Sequence, residues 1–518
     1  MKNNAHSACY IIVISKKDGT RDMTYKEFYE SFGLKEFPFN TFTTEDEIDI
    51  AKKIFVSQGE YDPILDSFKK GRNIVILGER GIGKTAILED FKRNLSEANK
   101  PFTIVNDFSE ISENPSNEEV YKLLISNFVV ELLARVGRNP LKLLKLNKES
   151  RTILSYFLAS FVPTVSLNNL KDRISSIQIP PWTRLANGFY NLIRKPLNFT
   201  GTIGQNLTYQ YLLKHYSFLP PLDNDNQIQE YFPELKLGVE YDFFDQDISF
   251  RLLKRLGEIA TKMGYSKPTI LLDRLDEDNR FENDADKISI FLTPILTNTN
   301  LLSISEFQLV IFVWSTPFRF ISEKVRTQKY YCPNLSWRKE DLENLINQRL
   351  SVYSKESIKG FKQTFASEIS SSEIDQVFAL SNFNPRDLIH IFKILFEEQY
   401  RLNPKTPNIG SEALEKSLKR YVLDFNYYEY YPRKSNARAN SMDIYSYATH
   451  LLKLDSPEFS KNKLNESAGI GSSIHNYVVA MERIGLIENI GQDKGFATYK
   501  IKDPKIVYCL ENKLELKK

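Results

Sequence analysis

The sequence predicts an α/β protein: a parallel-sheet core, then a helical segment, then a C-terminal unit of short helices and a β-hairpin. Three observations predict it. The apolar run NIVIL (73–77) leads directly into GERGIGKT (78–85) and then into the helical pattern TAILEDFKRNLSEANK. Two more apolar runs, TILLD (269–273) and FQLVIFVWST (307–316), end in polar residues and alternate with helix-like stretches, as βαβ units require. The final 80 or so residues change pattern, to helices followed by two strand-like runs around GQDKG (491–495).

In chain order, CYIIVIS (9–15) reads as a short strand. Thr43 or Thr44, followed by acids, reads as the N-cap of a helix over 45–56. YDPILDSFKKG reads as a helix stopped by Gly71. NIVIL is a buried strand, and PFTIVNDFSE (101–110) a second one. From 117 to 262 the pattern is mostly helical, with an irregular stretch at 176–245 rich in Pro, Asn and aromatics. DISFRLLKRLGEIATKMG (247–264) is one amphipathic helix. TILLD, the helix DADKISIFLTPILTNTN and FQLVIFVW complete the core. LSWRKEDLENLINQRLSVYS, SSSEIDQVFALS and NPRDLIHIFKILFEEQYRL are helical, and YYEYYPRKSNARANS (427–441) is a linker. The expected domains are an N-terminal extension (1–35), a core (36–330) with a largely helical insertion at about 117–245, a helical lid (331–430) and a winged-helix unit (441–518).

Bulk properties narrow the function classes. The 518 residues suit about three domains. A hydrophobic content of 42% and a charged content of 26% are globular rather than disordered. A net charge of +3 leaves any nucleic-acid surface to be local. Cys9, Cys332 and Cys509 make neither a metal spacing nor a disulfide framework. No apolar run approaches the ~20 residues of a membrane helix, and the N-terminus has no signal-peptide pattern. The expectation is a cytoplasmic protein without membrane partners.

GERGIGKT fits GxxxxGK[ST]. Glycines in such a loop let backbone N–H groups converge on phosphate oxygens, and the following helix adds its positive end. The expected nucleotide-binding set is Gly78, Glu79, Arg80, Gly81, Ile82, Gly83, Lys84, Thr85 and Ala86. Lys84 reaches the β- and γ-phosphates, and the Thr85 hydroxyl ligates Mg²⁺. Asp273, ending its strand, is the acid a phosphate-bound Mg²⁺ needs. Either Asp276 or Glu277 is placed to orient water. Ser315 or Thr316, at another strand end, either senses the γ-phosphate or makes a turn. Arg319, Arg326 and Arg338 are candidates for transition-state charge. Asn384 and Pro385 suit a helix start, which would aim Arg386 at the nucleotide. In the C-terminal unit Ile474, Val478, Val479 and Ile484 mark a helix. Arg483, Lys494 and Lys500 suit phosphate contacts, or else the unit contacts protein.

Together these residues resemble the P-loop ATPases of the AAA+ and STAND (ASCE) kind. GERGIGKT resembles a Walker A motif, TILLDRLDE a Walker B motif, VWST a sensor-1 strand end and NPRDL a sensor-2 lid motif. NPRDL and LSWRKEDLENLINQRL also look like KAP-type ATPases of phage-defence systems. The resemblance covers about 36–110 and 250–510 and implies an ASCE-type P-loop core using ATP and Mg²⁺. It implies a switch or motor that hydrolyses ATP and controls a partner effector or sensor, in a bacterial antiphage setting, with homo-oligomer formation open. Two alternatives stand beside it. One is a DNA-binding initiator- or loader-type ATPase acting through the winged helix. The other is a nucleotide-holding scaffold without turnover.

Overall fold

The computed structural model describes residues 23–41, 47, 50–147, 149–151, 153, 154, 157, 246–433, 443–493 and 495–516. The expected strand at 9–15, the caps Thr43 and Thr44, most of the insertion, Lys494 and the linker beyond Arg433 lie outside the described residues.

Among the described residues three α-helices precede the sheet: α1 (Tyr25–Ser31), α2 (Ala51–Ile54) and α3 (Tyr61–Lys69). α1 opens on a capping box in which Thr24 accepts from the Glu27 N–H and Glu27 accepts from that of Thr24. Gly71 follows α3 at φ +71°, the left-handed stop that the sequence suggests.

The core then runs β1 (Ile74–Gly78), α4 (Lys84–Glu97), β2 (Phe102–Val105), α5 (Asn117–Arg138), α6 (Gln246–Lys262), β3 (Thr269–Leu272), α7 (Ala285–Leu296), α8 (Thr299–Leu302), β4 (Gln308–Trp314) and α9 (Ser315–Arg319). The four strands form one all-parallel sheet in the order β1-β4-β3-β2. β1, β3 and β4 are buried along their whole length, because helices cover both faces. That is why they read as unbroken apolar runs and not as alternating ones. Side chains one apart point to opposite layers. Ile74, Ile76, Val310 and Phe312 meet α3 and α4, where the Phe68 and Phe91 rings stack at 3.8 Å. Val75, Leu77, Ile311 and Val313 meet α5, α6 and α7.

The sheet does not end at the expected core boundary of residue 330. Beyond β1 the chain returns in parallel: the Val75 N–H donates to the Tyr331 carbonyl at 3.0 Å and that of Leu77 to the Pro333 carbonyl at 2.9 Å. Residues 331–335 thereby satisfy an edge that β1 would otherwise leave unpaired.

The helical segment comprises α10 (Lys339–Tyr353), α11 (Ser371–Leu380), α12 (Pro385–Leu402) and α13 (Ser411–Asp424). Its core includes Phe361, Phe378, Phe392 and Phe396, and it also takes in Phe28, Leu34, Phe37 and Phe39. Residues 23–39, expected as an extension and the start of the core, therefore pack into the helical segment instead.

The C-terminal unit has α14 (Ile444–Leu451), β5 (Glu458–Ser460), α15 (Lys461–Ala468), α16 (Ile474–Arg483), β6 (Ile487–Asp493), β7 (Phe496–Ile501) and α17 (Pro504–Glu511). β6 and β7 form the expected hairpin, and β5 adds to it in the antiparallel order β5-β7-β6. Val478 enters the core of the unit, whereas Val479 faces solvent. The unit docks on α12 through a buried charge cluster. Lys505, with no exposed surface, lies 3.6 Å from Asp503 and 3.8 Å from Asp387. Burial pushes the Asp387 carboxyl up to about 6, against the pull of Lys505. Among the described residues no helix is long and apolar enough to cross a membrane.

Candidate functional site

The parallel register brings three strand ends to one edge. Gly78 lies opposite Trp314, and Asp273 follows directly on β3, on the far side of β4 from β1. Ligands of open parallel sheets sit beyond such C-terminal ends.

The turn from β1 into α4 depends on two glycines in left-handed backbone, Gly81 at φ +78° and Gly83 at φ +101°. A Cβ on Gly81 would also lie 2.7 Å from the Asn384 Oδ1. Gly83 is the N-cap of the 14-residue α4, no side chain caps it, and no acid stands in the first turn. The first N–H groups of this helix are thus available to an anion.

Lys84 folds back so that its Nζ donates to the carbonyls of Gly78 (2.8 Å) and Glu79 (3.0 Å). Burial pushes its ammonium below the usual lysine range, while Asp276, Glu79 and Asp273 pull it back up. Asp273 is buried, and burial pushes its carboxyl up to about 6 against a backbone hydrogen bond at Arg274 and the charge of Lys84.

The two acids that the sequence leaves as alternatives are separated. Asp276 is buried and its Oδ2 accepts from Arg80 Nε at 2.8 Å. Glu277 is exposed on the rim, 3.6 Å from Arg274.

A cavity of about 410 Å³ lies over these groups. Arg80, Gly81, Gly83, Lys84, Thr85 and Ala86 form its floor, and Asp273, Arg274, Asp276 and Glu277 one wall. Pro385, Arg386 and Ile389 of α12 cover it. Ile54, Phe55, Val56, Trp337 and Leu345 contribute an apolar lining. Asn384 joins roof to floor. Its Oδ1 accepts from the Arg386 N–H at 3.0 Å, capping α12 as expected, and its Nδ2 donates to the Arg80 carbonyl at 2.7 Å. Trp337 adds a second tie, donating from Nε1 to the Ile82 carbonyl at 2.9 Å.

The remaining sequence candidates fall elsewhere. Gly78, Glu79 and Ile82 stand behind the cavity; Ile82 is buried in the layer under α3 and α4. The Glu79 carboxylate accepts from Trp314 Nε1 (2.8 Å), Thr316 Oγ1 (3.1 Å) and Arg319 (3.2 Å). Ser315 donates to Asn334 at 3.1 Å. Neither Ser315 nor Thr316 lines the cavity, because these partners turn the hydroxyls toward the loop's outer side and the sheet edge. Arg319, Arg326 and Arg338 do not line it either, whereas Arg386 does.

Sequence reasoning missed Trp337, Phe55, Leu345 and Ile389. Each is one apolar residue in an amphipathic stretch, and no local signature separates a cavity wall from a core. The whole set suits a ligand with an anionic end at the loop and a flat apolar end. Thr85 and Asp273 both offer oxygens to a cation. Among the described residues no cluster of three acidic, His or Cys groups could hold a metal alone, so a cation here would need further oxygens, from a ligand or from water. In comparisons with known proteins, no family model matches the chain and no curated protein matches its sequence.

Proposed function

We propose that the chain binds ATP with Mg²⁺ in this cavity, hydrolyses it, and uses the nucleotide state to control a partner protein. One observation carries the reading: the left-handed Gly81–Gly83 turn leads into an uncapped helix start, with Lys84 on one side and Asp273 across from it. Such a floor offers N–H groups and a cation to phosphates. The apolar lining of Phe55, Val56 and Trp337 suits a nucleobase.

The strand order supports an ASCE-type P-loop core, since β4 separates the loop strand from the acid strand. Thr85 and Asp273 would hold Mg²⁺, which when bound neutralises phosphate charge. Lys84 and Arg386 add positive charge at the phosphates from floor and roof. Asp276 spends an oxygen on Arg80, so we assign Glu277 as the acid that orients and takes a proton from water. Ser315 and Thr316 would act only through Asn334 and Glu79.

We read the C-terminal unit as a winged helix that contacts protein. Lys463, Lys500, Lys502 and Arg483 are each paired with a carboxylate and Lys505 is buried, which disfavours the DNA-binding alternative. The bacterial antiphage setting and a homo-oligomer rest on the resemblance alone.

Phosphate release tests the reading. Lys84→Ala should lower turnover at least about 100-fold. Glu277→Gln should do likewise while nucleotide affinity stays within a few fold. Wild-type release no faster than that of Lys84→Ala would instead favour a scaffold without turnover.

A further inference from the structure

Arg80 has more partners than anchoring a loop requires. Beside the Asp276 carboxylate, it donates to the Asp276 carbonyl at 3.3 Å and to Asn283 Oδ1 at 2.5 Å. Its guanidinium lies 3.9 Å from the centre of the Trp314 ring.

Asn283 continues the chain of contacts. It sits at φ +63°, backbone that Asn tolerates better than most residues. Its Nδ2 donates to the carbonyls of Tyr428 (2.8 Å) and Tyr431 (3.3 Å), and its own carbonyl accepts from the Arg433 N–H at 2.9 Å. Residues 427–433 lead from α13 toward the C-terminal unit. Tyr427 and Tyr431 belong to the core of that unit, and the Tyr431 hydroxyl donates to Asp503 at 2.9 Å. Asp503 in turn caps α17. An unbroken set of hydrogen bonds therefore runs from the glycine-rich loop into the C-terminal unit.

We propose that Arg80 and Asn283 are the coupling residues through which the loop sets the conformation of segment 427–433 and so of the C-terminal unit; this rests on the reading that the loop takes the phosphates of ATP. Coupling needs a group whose contacts differ between two states. Lys84 is that group. Its ammonium donates to the Gly78 and Glu79 carbonyls, and phosphate oxygens compete for the same protons. Redirection of those hydrogen bonds from carbonyl to phosphate oxygens loosens the peptide units before Arg80. A shift of the Arg80 guanidinium is then felt at Asn283, because the two share a hydrogen bond.

Asn283 stands outside the cavity and meets its lining through Arg80, which keeps Asp276 and Trp314 as partners when Asn283 is altered. Asn283→Asp keeps an acceptor for Arg80 but sets a carboxylate against two carbonyls. Asn283→Gly removes the side-chain bonds at both ends of the joint, keeps the backbone bond to Arg433 and suits the positive φ. The experiment measures amide hydrogen exchange over 427–433 in the full chain, with and without Mg-ATP, together with nucleotide affinity. In the wild type, Mg-ATP should change exchange there at least about fivefold. Both variants should bind within about threefold of wild type and lose that difference. Should one variant fail to fold, the other gives the same readout, and the wild-type exchange difference over 427–433 is read in either case.

A purely structural joint would raise exchange equally in both states and leave the difference intact, and that result overturns the proposal. So does a wild type that binds Mg-ATP with no change over 427–433. A wild type that binds no nucleotide overturns the site reading itself, and the coupling with it.

Discussion

Asp273 holds its carboxyl where ionisation is disfavoured, and this makes its chemistry pH-dependent in the working range. Burial pushes the group up to about 6, so a proton and a cation compete for it there. The sign follows: lowering the pH through 6 protonates Asp273 and removes a metal ligand. Mg²⁺-dependent nucleotide affinity should be level above about pH 7 and fall about tenfold per pH unit well below 6. Calorimetric titration at several pH values checks this, with Asp273→Asn as the variant that keeps only the slope of the nucleotide's own terminal phosphate. A wild-type slope no steeper than that of Asp273→Asn would remove Asp273 from the metal site. The neighbouring pair works differently: Glu79 and Arg80 both meet Trp314, Glu79 at the indole Nε1 and Arg80 over the ring, but Glu79 goes on to Thr316 and Arg319 and Arg80 to Asp276.

Among elements, the contact between the loop and the start of α12 is the decisive one. Gly81 lacks a side chain both because its φ is left-handed and because Asn384 occupies the space a Cβ would take. Gly81→Ala should therefore act on two elements at once. Backbone strain should destabilise the chain by about 1–3 kcal/mol, read from denaturant unfolding. The displaced Asn384 should also move Arg386 and weaken ATP binding by about tenfold or more. Unchanged affinity alongside lost stability would mean that the roof plays no part in binding. The helix α12 itself was legible in NPRDL, since Asn384 and Pro385 are local start signals. Its seat on the loop was not, because the Asn384–Arg80 hydrogen bond spans 304 positions.

For the whole molecule, the N-terminal residues and the C-terminal helix close on one core. Phe39 is fully buried, with its ring 5.2 Å from that of Phe392 and 5.7 Å from that of Phe396, and Tyr508 and Cys509 of α17 join the same cluster. Phe39→Ala should cost about 3–5 kcal/mol, measured by denaturant unfolding. The loss should extend to the cover over the cavity, since α12 carries both Phe392 and Arg386. A loss under about 1 kcal/mol would show that residues 23–39 are dispensable to that core.

The sequence alone determined the features whose cause is local. The glycines of GERGIGKT declare the turn, the apolar runs declare buried strands, and Asn384 declares a helix start through a cap formed within two residues. The hairpin of β6 and β7 belongs with these. Only the tertiary structure decided which pieces meet. It assigned residues 23–39 to the helical segment, brought 331–335 to the free edge of β1, set Trp337 against the loop, and divided Asp276 from Glu277 by giving one of them Arg80. Burial and edge pairing are rewarded wherever they reduce exposed apolar surface and unpaired backbone. They do not depend on sequence separation, so periodicity shows that a face must be covered without showing which residues will cover it.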